Sequence, residues 1–292
     1  MDDKIIQRID ALLERIDCVR IMMGGASFNT FVNDRTLLDA TAFSILQIGE
    51  SMIKFEHLLK DRYPEIPWAK AKTMRNVIAH DYGNADPKII YRTATTDLPD
   101  LKKLFLKVKD DVKQISENSL YTERLWLRPW DDVDAKQLFE LAKDPEIGYW
   151  CGWEPHITRS DSLFAIHNFL QIKETYAICL KDSGNVIGSI GLKFDASVIQ
   201  DIGECELGFW IGKQYQRNGY AFEAASEVLR HAFIDLKTET VWCCYFEGND
   251  KSKFLQEKLG FAFFSKEEKE DRKRFVNILT KDKWLARQQT NY

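Results

Sequence analysis

The chain has 292 residues, 45% hydrophobic and 29% charged, the profile of a folded globular protein with room for two domains and not of a disordered or fibrous one. A formal net charge of -4 excludes a general basic field for nucleic acid, and residues 1–118, with 18 basic and 18 acidic side chains, are balanced on their own. The six cysteines, at 18, 151, 179, 205, 243 and 244, show no repeated metal-ligand spacing. With no secretory leader and no 18-residue apolar run, the expectation is a cytoplasmic protein with reduced cysteines, no metal and no membrane span.

Between Lys4 and Val19, apolar residues at Ile5, Ile9, Leu12, Leu13, Ile16 and Val19 follow the helical period and predict a helix that Gly24-Gly25 ends. Asp34 or Thr36 is placed to cap a second helix, whose apolar surface continues to about Lys60 and is broad enough to meet helices on more than one side. Pro64 and Pro67 punctuate the link to a third, from Trp68 to about His80. Pro99 suits the first turn of a fourth, carrying Leu101, Leu104, Phe105, Val108, Val112 and Ile115. Four such helices bury their apolar faces most economically as a bundle.

The third helix carries the chemistry. Arg75, Asn76, His80 and Tyr82 place a cation, an amide, an imidazole and a phenol within eight residues. Asn76 and His80 share a face, whereas Arg75 and His80 lie about 140° apart around an ideal helix. They meet only if the helix ends near His80, where Gly83 follows, if the arginine reaches across, or if a second subunit supplies the partner. An arginine holds a phosphate by paired hydrogen bonds, and a histidine moves a proton to or from a ribose hydroxyl. Together they suit RNA cleavage without a metal; a buried polar network at a helix end is the alternative reading. Lys70 and Lys72 are candidate phosphate contacts.

The stretches LLDATAFSILQIGESM, YPEIPWAKAKTMRNVIAHDYGNAD and DLPDLKKLF, within residues 3–116, resemble the HepT-like branch of the HEPN superfamily of small toxin ribonucleases. The resemblance implies a homodimer through these helices with clefts facing across the interface, and an RNA or tRNA substrate. It also implies phosphate contact by Arg75, proton transfer by His80 and positioning by Asn76. A minimal nucleotidyltransferase antitoxin that modifies Tyr82 is the implied partner.

Ser116–Tyr121 is short and polar, the best boundary, after which the period changes. Leu125–Trp130 reads as a strand, with Asp131 or Asp132 capping a helix through Leu138, Phe139 and Leu141. A helix from Ser160 to Lys173 and strands at Tyr176–Leu180, Val186–Phe194 and Glu204–Ile211 follow. Next come Gln216-Arg217-Asn218-Gly219-Tyr220-Ala221, a helix through Phe233, a strand Val241–Phe246, a helix Asp250–Lys258 and strands Gly260–Phe264 and Phe275–Leu279. Mixed strands and crossover helices predict an α/β sandwich. The all-charged run Lys266–Arg274 reads as a solvated hairpin turn. His156, His167 and His231 carry no metal or catalytic pattern.

A glycine between strand and helix lets backbone approach a ligand, and the first-turn amides favour phosphate; a purely structural turn is the alternative. Residues 122–284 resemble a GNAT acetyltransferase, closest to the branch acting on protein N-termini or aminoglycosides. The resemblance rests on ERLWLRPWDDVDAKQLFELAKDPEIGYW, on Gln216, Gly219 and Ala221, and on Asn249-Asp-Lys-Ser252 followed by EKLGF. It implies acetyl-CoA as cofactor, its pyrophosphate on the amides of residues 217–221, and Asn249 and Ser252 near the pantetheine. Attack by an amine needs a base. Glu206, on the strand feeding the turn, is preferred and Glu204 is the other candidate; either is alternatively a solvated carboxylate. Tyr245 is the candidate donor to the leaving thiolate, or a packing residue. The expectation is therefore a two-domain chain: an all-α bundle over 1–118 and an α/β mixed-sheet acetyltransferase over 119–292, the amine acceptor being undetermined.

Overall fold

In the computed structural model, which describes residues 2–80, 85–269 and 271–290, the first apolar stripe becomes α1 (Asp2–Met23). A short helix that the periodicity does not announce, α2 (Phe28–Asn33), starts where Ser27 Oγ accepts from Thr30 N. Asp34 caps α3 (Arg35–Leu59), accepting from Leu37 N at 2.9 Å, and α4 spans Trp68–His80. The last helical run begins earlier than expected. Asp86 caps α5 (Pro87–Arg92), and a wide π turn, Thr93–Asp97, leads into α6 (Leu98–Glu117). Pro99 thus lies inside the run and does not begin it; the widened turn, in which Leu98 N donates to Thr93 O, accommodates a proline that a regular turn would reject.

The chain divides into two units, Met1–Glu117 and Asn118–Tyr292. In the first, Phe55, Trp68 and Phe105 join α3, α4 and α6, with ring centroids 5.7–6.4 Å apart. Lys102 and Lys109 tie α6 to Asp17 and Asp10 of α1 at 2.6 and 2.5 Å. This is the expected helical bundle.

In the second unit a short β1 (Leu120–Tyr121) pairs with β2 (Leu125–Pro129). Asp131 and Asp134 form a reciprocal cap ahead of α7 (Ala135–Ala142), and Asp134 also takes two hydrogen bonds from buried Arg128. There follow α8 (Pro145–Cys151) and α9 (Arg159–Ala165). The latter is capped by Thr158, two residues before the expected Ser160, and a π turn ends it at Leu170. The central strands are β3 (Thr175–Leu180), β4 (Val186–Lys193) and β5 (Glu204–Ile211). Helix α10 (Tyr220–Arg230) crosses to β6 (Thr240–Phe246). Then come α11 (Asp250–Leu259), β7 (Ala262–Lys269), β8 (Arg272–Thr280) and α12 (Lys281–Thr290). The charged run is therefore mostly strand: Arg274 is buried, bonded to Glu267 and Ser197, because alternation turns every second side chain of β8 inward.

The eight strands form one sheet in the order β1-β2-β3-β4-β5-β6-β8-β7. Leu207, Cys205, Val241 and Cys243 face α10, while Trp130, Ala177 and Cys179 face α7 and α9. This is the mixed α/β sheet expected. Among the described residues only β5 and β6 pair in parallel, and their register covers Glu204↔Thr240, Cys205↔Val241 and Glu206↔Trp242. Beyond those pairs β5 stays with β4 and β6 with β8, so the two strands part. Among the described residues no helix is long and apolar enough to cross a membrane.

The end of α10 is locked by a polar cluster. His231 bonds Glu174 through Nε2 and Asp235 through Nδ1, both at 2.9 Å, and Glu174 also accepts from Tyr176. The Glu174 hydrogen bond raises His231 above its ordinary 6.5, and the His231 contact holds Glu174 below its ordinary 4.5. The imidazolium contribution is full below pH 6.5 and is lost as pH rises through the folded value; the carboxylate contribution is full above pH 4.5 and is lost on acidification. Their joint contribution is greatest between those values. Urea denaturation of wild type and His231→Gln at pH 5.5 and 8.5 should show the larger difference between the two proteins at pH 5.5.

Candidate active sites of the two units

In the helical unit, α3 and α4 touch where Gly49 meets Arg75. A Cβ on Gly49 would lie 2.7 Å from Arg75 Cβ, so glycine is what allows the close approach. The next residue, Glu50, accepts from Arg75 Nε at 2.5 Å, and Arg75 Nη1 donates to Asn76 Oδ1 at 2.9 Å. Arg75 and Asn76 are thus brought together, and Glu50 is an addition that the motif did not reveal. Its signal was a lone carboxylate beside glycine in an otherwise apolar stretch. His80 ends α4, but its side chain and Tyr82 and Gly83 lie outside the described residues. Lys70 forms an ion pair with Asp97 at 2.8 Å, and Lys72 is exposed.

In the second unit, the turn between β5 and α10 is held from several directions. Gln216 Nε2 donates to the Ile211 carbonyl, Asn218 Nδ2 donates to the Tyr215 and Gln216 carbonyls, and Arg217 takes a positive φ of 64°. Gly219, at φ 82°, begins α10 without any side-chain cap. Amides at the start of α10 are thus left for an outside acceptor, with the helix dipole behind them. Arg124 braces the turn: Nε bonds Glu223 at 2.7 Å, Nη1 bonds the Asn218 carbonyl at 3.1 Å, and the guanidinium lies 4.6 Å from the Tyr220 ring centre. Burial alone would raise the Glu223 carboxyl, but hydrogen bonds from Thr122 and Arg124 hold it below the ordinary range. Ala221 packs against the sheet core. The residues present fit a diphosphate-bearing cofactor: open amides, a glycine at positive φ, and parting strands beyond.

At the apex of the parting strands, strand alternation puts Glu206 on the face with Trp242 and Cys244, away from α10. Glu204 shares that face but is engaged: one oxygen accepts from Gln200 N, Asp201 N and Trp242 Nε1 at 2.8–3.2 Å. It clips the loop before β5, which argues against its expected role as a free base. Tyr245 alternates onto the α10 side and stacks on Phe275 at 5.1 Å and 5°, with burial raising its hydroxyl above the ordinary value. Asn249 caps α11, accepting from Ser252 N at 3.2 Å. Ser252 Oγ accepts from Gln256, whose amide also donates to the Cys244 carbonyl at 3.2 Å and accepts from Asn277 at 2.8 Å. Fully buried Gln256 thus serves a carbonyl of β6 beside the parting; four-residue spacing from Ser252 was its trace in the sequence. Glu146 of α8 contacts Lys213 and Lys251, and those cations hold it below the ordinary carboxylate range.

Comparison with known proteins finds a match for each unit. A family model described as "Ribonuclease HepT-like" matches residues 9–108, and one described as "Acetyltransferase (GNAT) domain" matches residues 124–262. A Thermococcus cleftensis protein named "Probable ribonuclease HepT" is 27% identical over 101 residues, 35% of this chain and 92% of that one. A Bacillus subtilis protein named "Uncharacterized N-acetyltransferase YoaA" is 28% identical over 147 residues, 49% of this chain and 81% of that one. A crystal structure of a GCN5-related N-acetyltransferase from Brucella melitensis superposes with a TM-score of 0.52 at 19% identity, covering 59% of this chain and 82% of that one, and so shares the fold.

The contact at Gly49 leaves no space for a side chain. Gly49→Leu should cost the helical unit about 1–3 kcal/mol by overpacking, measured by urea denaturation, whereas Asn29→Ala on exposed α2 should change little.

Proposed function

The chain joins a HepT-like ribonuclease-family domain to a GNAT-family acetyltransferase domain, and on that premise we propose that it is an acetyl-CoA-dependent N-acetyltransferase carrying a metal-independent endoribonuclease, with the modules at 1–118 and 119–292. The observation that carries the acetyltransferase reading is the parting of β5 and β6 directly beside the uncapped start of α10. Bound there, acetyl-CoA would supply an activated acetyl group. Amides of Arg217, Asn218, Gly219, Tyr220 and Ala221 hold its diphosphate, and Gln216, Asn249 and Ser252 shape the turn and helix on either side. Glu206, on the face away from α10, takes the proton of the attacking amine; Tyr245, on the other face, protonates the departing thiolate. A base and an acid on opposite faces suit an amine arriving from one side and a thiol leaving toward the other.

In the helical module, Arg75 engages the scissile phosphate, His80 transfers the proton of the attacking 2′-hydroxyl, and Asn76 orients the guanidinium. A homodimer brings two such sites together, and a nucleotidyltransferase antitoxin acting on Tyr82 would silence them. The Glu50 carboxylate on Arg75 favours a second reading, in which the module binds RNA or dimerises without cutting, because a phosphate must compete with a carboxylate already in place. In a third, the acetyltransferase module restrains the ribonuclease.

Two experiments test these readings. Full-length protein incubated with total RNA in EDTA should cleave it, and Arg75→Ala or His80→Ala should abolish cleavage; intact RNA with folded wild type would leave the binding reading. For the other unit, calorimetric titration with CoA should show binding that Gly219→Val weakens by roughly tenfold or more, since valine neither tolerates φ near 82° nor leaves the amides open. Equal affinity in the two proteins would remove the turn from the cofactor site.

A further inference from the structure

Glycines on the central strands are of two kinds. A Cβ on Gly188 would lie 2.2 Å from the Trp210 carbonyl oxygen, and one on Gly191 would lie 2.7 Å from Thr175 Oγ1, so packing demands glycine at both. At Gly208 a Cβ would meet no heavy atom within 4 Å. Its φ is not positive either, so neither crowding nor backbone conformation requires glycine there.

The open space falls at an informative place. Gly208 lies on β5 just beyond the last pair with β6, Glu206↔Trp242, where the strands have begun to part. Alternation puts it on the same face as Glu206, two residues toward the apex, and Trp210, two residues toward the cofactor turn. The Trp210 ring meets Trp153 at 6.2 Å. One end of the opening is therefore a carboxylate and the other a pair of indoles. That polarity sorts the two reactants: an amine belongs beside the carboxylate, and an alkyl chain belongs over Gly208 against the aromatic wall. Apart from its chain neighbours, no heavy atom lies within 4 Å of where a Cβ at 208 would stand, so this stretch of the strand face has room for more than an acetyl methyl.

We propose that Gly208 opens an acyl pocket and that this unit accepts acyl-CoA thioesters longer than acetyl, through at least butyryl, with the added methylenes lying over Gly208 toward Trp210 and Trp153. The inference rests on the acyltransferase reading and specifies its donor substrate. The glycine is then a specificity determinant: any side chain at 208 occupies the volume that the acyl chain would take.

The test is calorimetric titration of the full chain with CoA, acetyl-CoA, propionyl-CoA and butyryl-CoA, for wild type, Gly208→Ala and Gly208→Val. Because a Cβ meets nothing, both variants should keep the wild-type melting temperature and circular dichroism. Wild type should bind more tightly by up to roughly fourfold per added methylene. Gly208→Val should cancel that gain, weakening butyryl-CoA about tenfold or more while acetyl-CoA changes about twofold or less. Gly208→Ala should fall between. Rejection of butyryl-CoA by wild type, or an equal effect of valine on acetyl- and butyryl-CoA, would overturn the proposal and assign the space to the amine side. If wild type binds neither CoA nor any thioester, the acyltransferase reading itself fails; binding of CoA without discrimination among acyl chains overturns only the acyl pocket.

Discussion

Two parallel strands that pair over Glu204–Glu206 and Thr240–Trp242 and then separate are the constraint on which the acetyltransferase unit turns. Strand edges facing each other across such a gap lose their ladder partners, and a buried backbone group without a partner costs about 1–3 kcal/mol. The surroundings address this locally. Gln256 reaches from α11 to the Cys244 carbonyl, and Asn277 in turn fixes the Gln256 amide. Glu204 binds two amides of the preceding loop and the Trp242 indole, closing the end where the strands still pair. The opposite end, beside the turn that begins α10, has no β5–β6 pairing.

That turn owes its shape to side chains that bond its own backbone and its neighbours. Gln216, Asn218 and Arg124 spend their hydrogen-bonding capacity on backbone carbonyls and on Glu223, which leaves the first amides of α10 without a cap. Residues of a binding motif are commonly imagined as touching the ligand. Here most of them hold the backbone that would do so. The helical unit uses a related device: the missing side chain of Gly49 lets α3 approach α4 closely enough for Glu50 to grip Arg75.

Several features were legible before any fold was known, for reasons visible in particular residues. The apolar period of α1, α3 and α6 announced a bundle because helix burial repeats at fixed spacing, and Asp34 was a readable cap because the helix start needs an acceptor there. Pro99 misled because proline usually marks a helix start; that a π turn before it would absorb the ring depends on packing of the whole run. The run Lys266–Arg274 does lie on the paired, mostly exposed ends of β7 and β8, and charge misled only at Arg274, which strand alternation turns inward to pair with Glu267.

The sequence by itself determined the two periods of the chain, helical and then mixed with strands, and the local motifs around Arg75 and Gly219, since these depend on spacing over a few residues. Only the tertiary structure decided that Glu50 engages Arg75, that Glu204 is spent on a loop while Glu206 shares a face with Trp242, that Tyr245 lies on the other face, and that Gly208 borders empty space. Those relations join residues 25 to 38 positions apart or depend on where two strands separate. No local pattern encodes them, because they arise from which surfaces the folded core brings into contact.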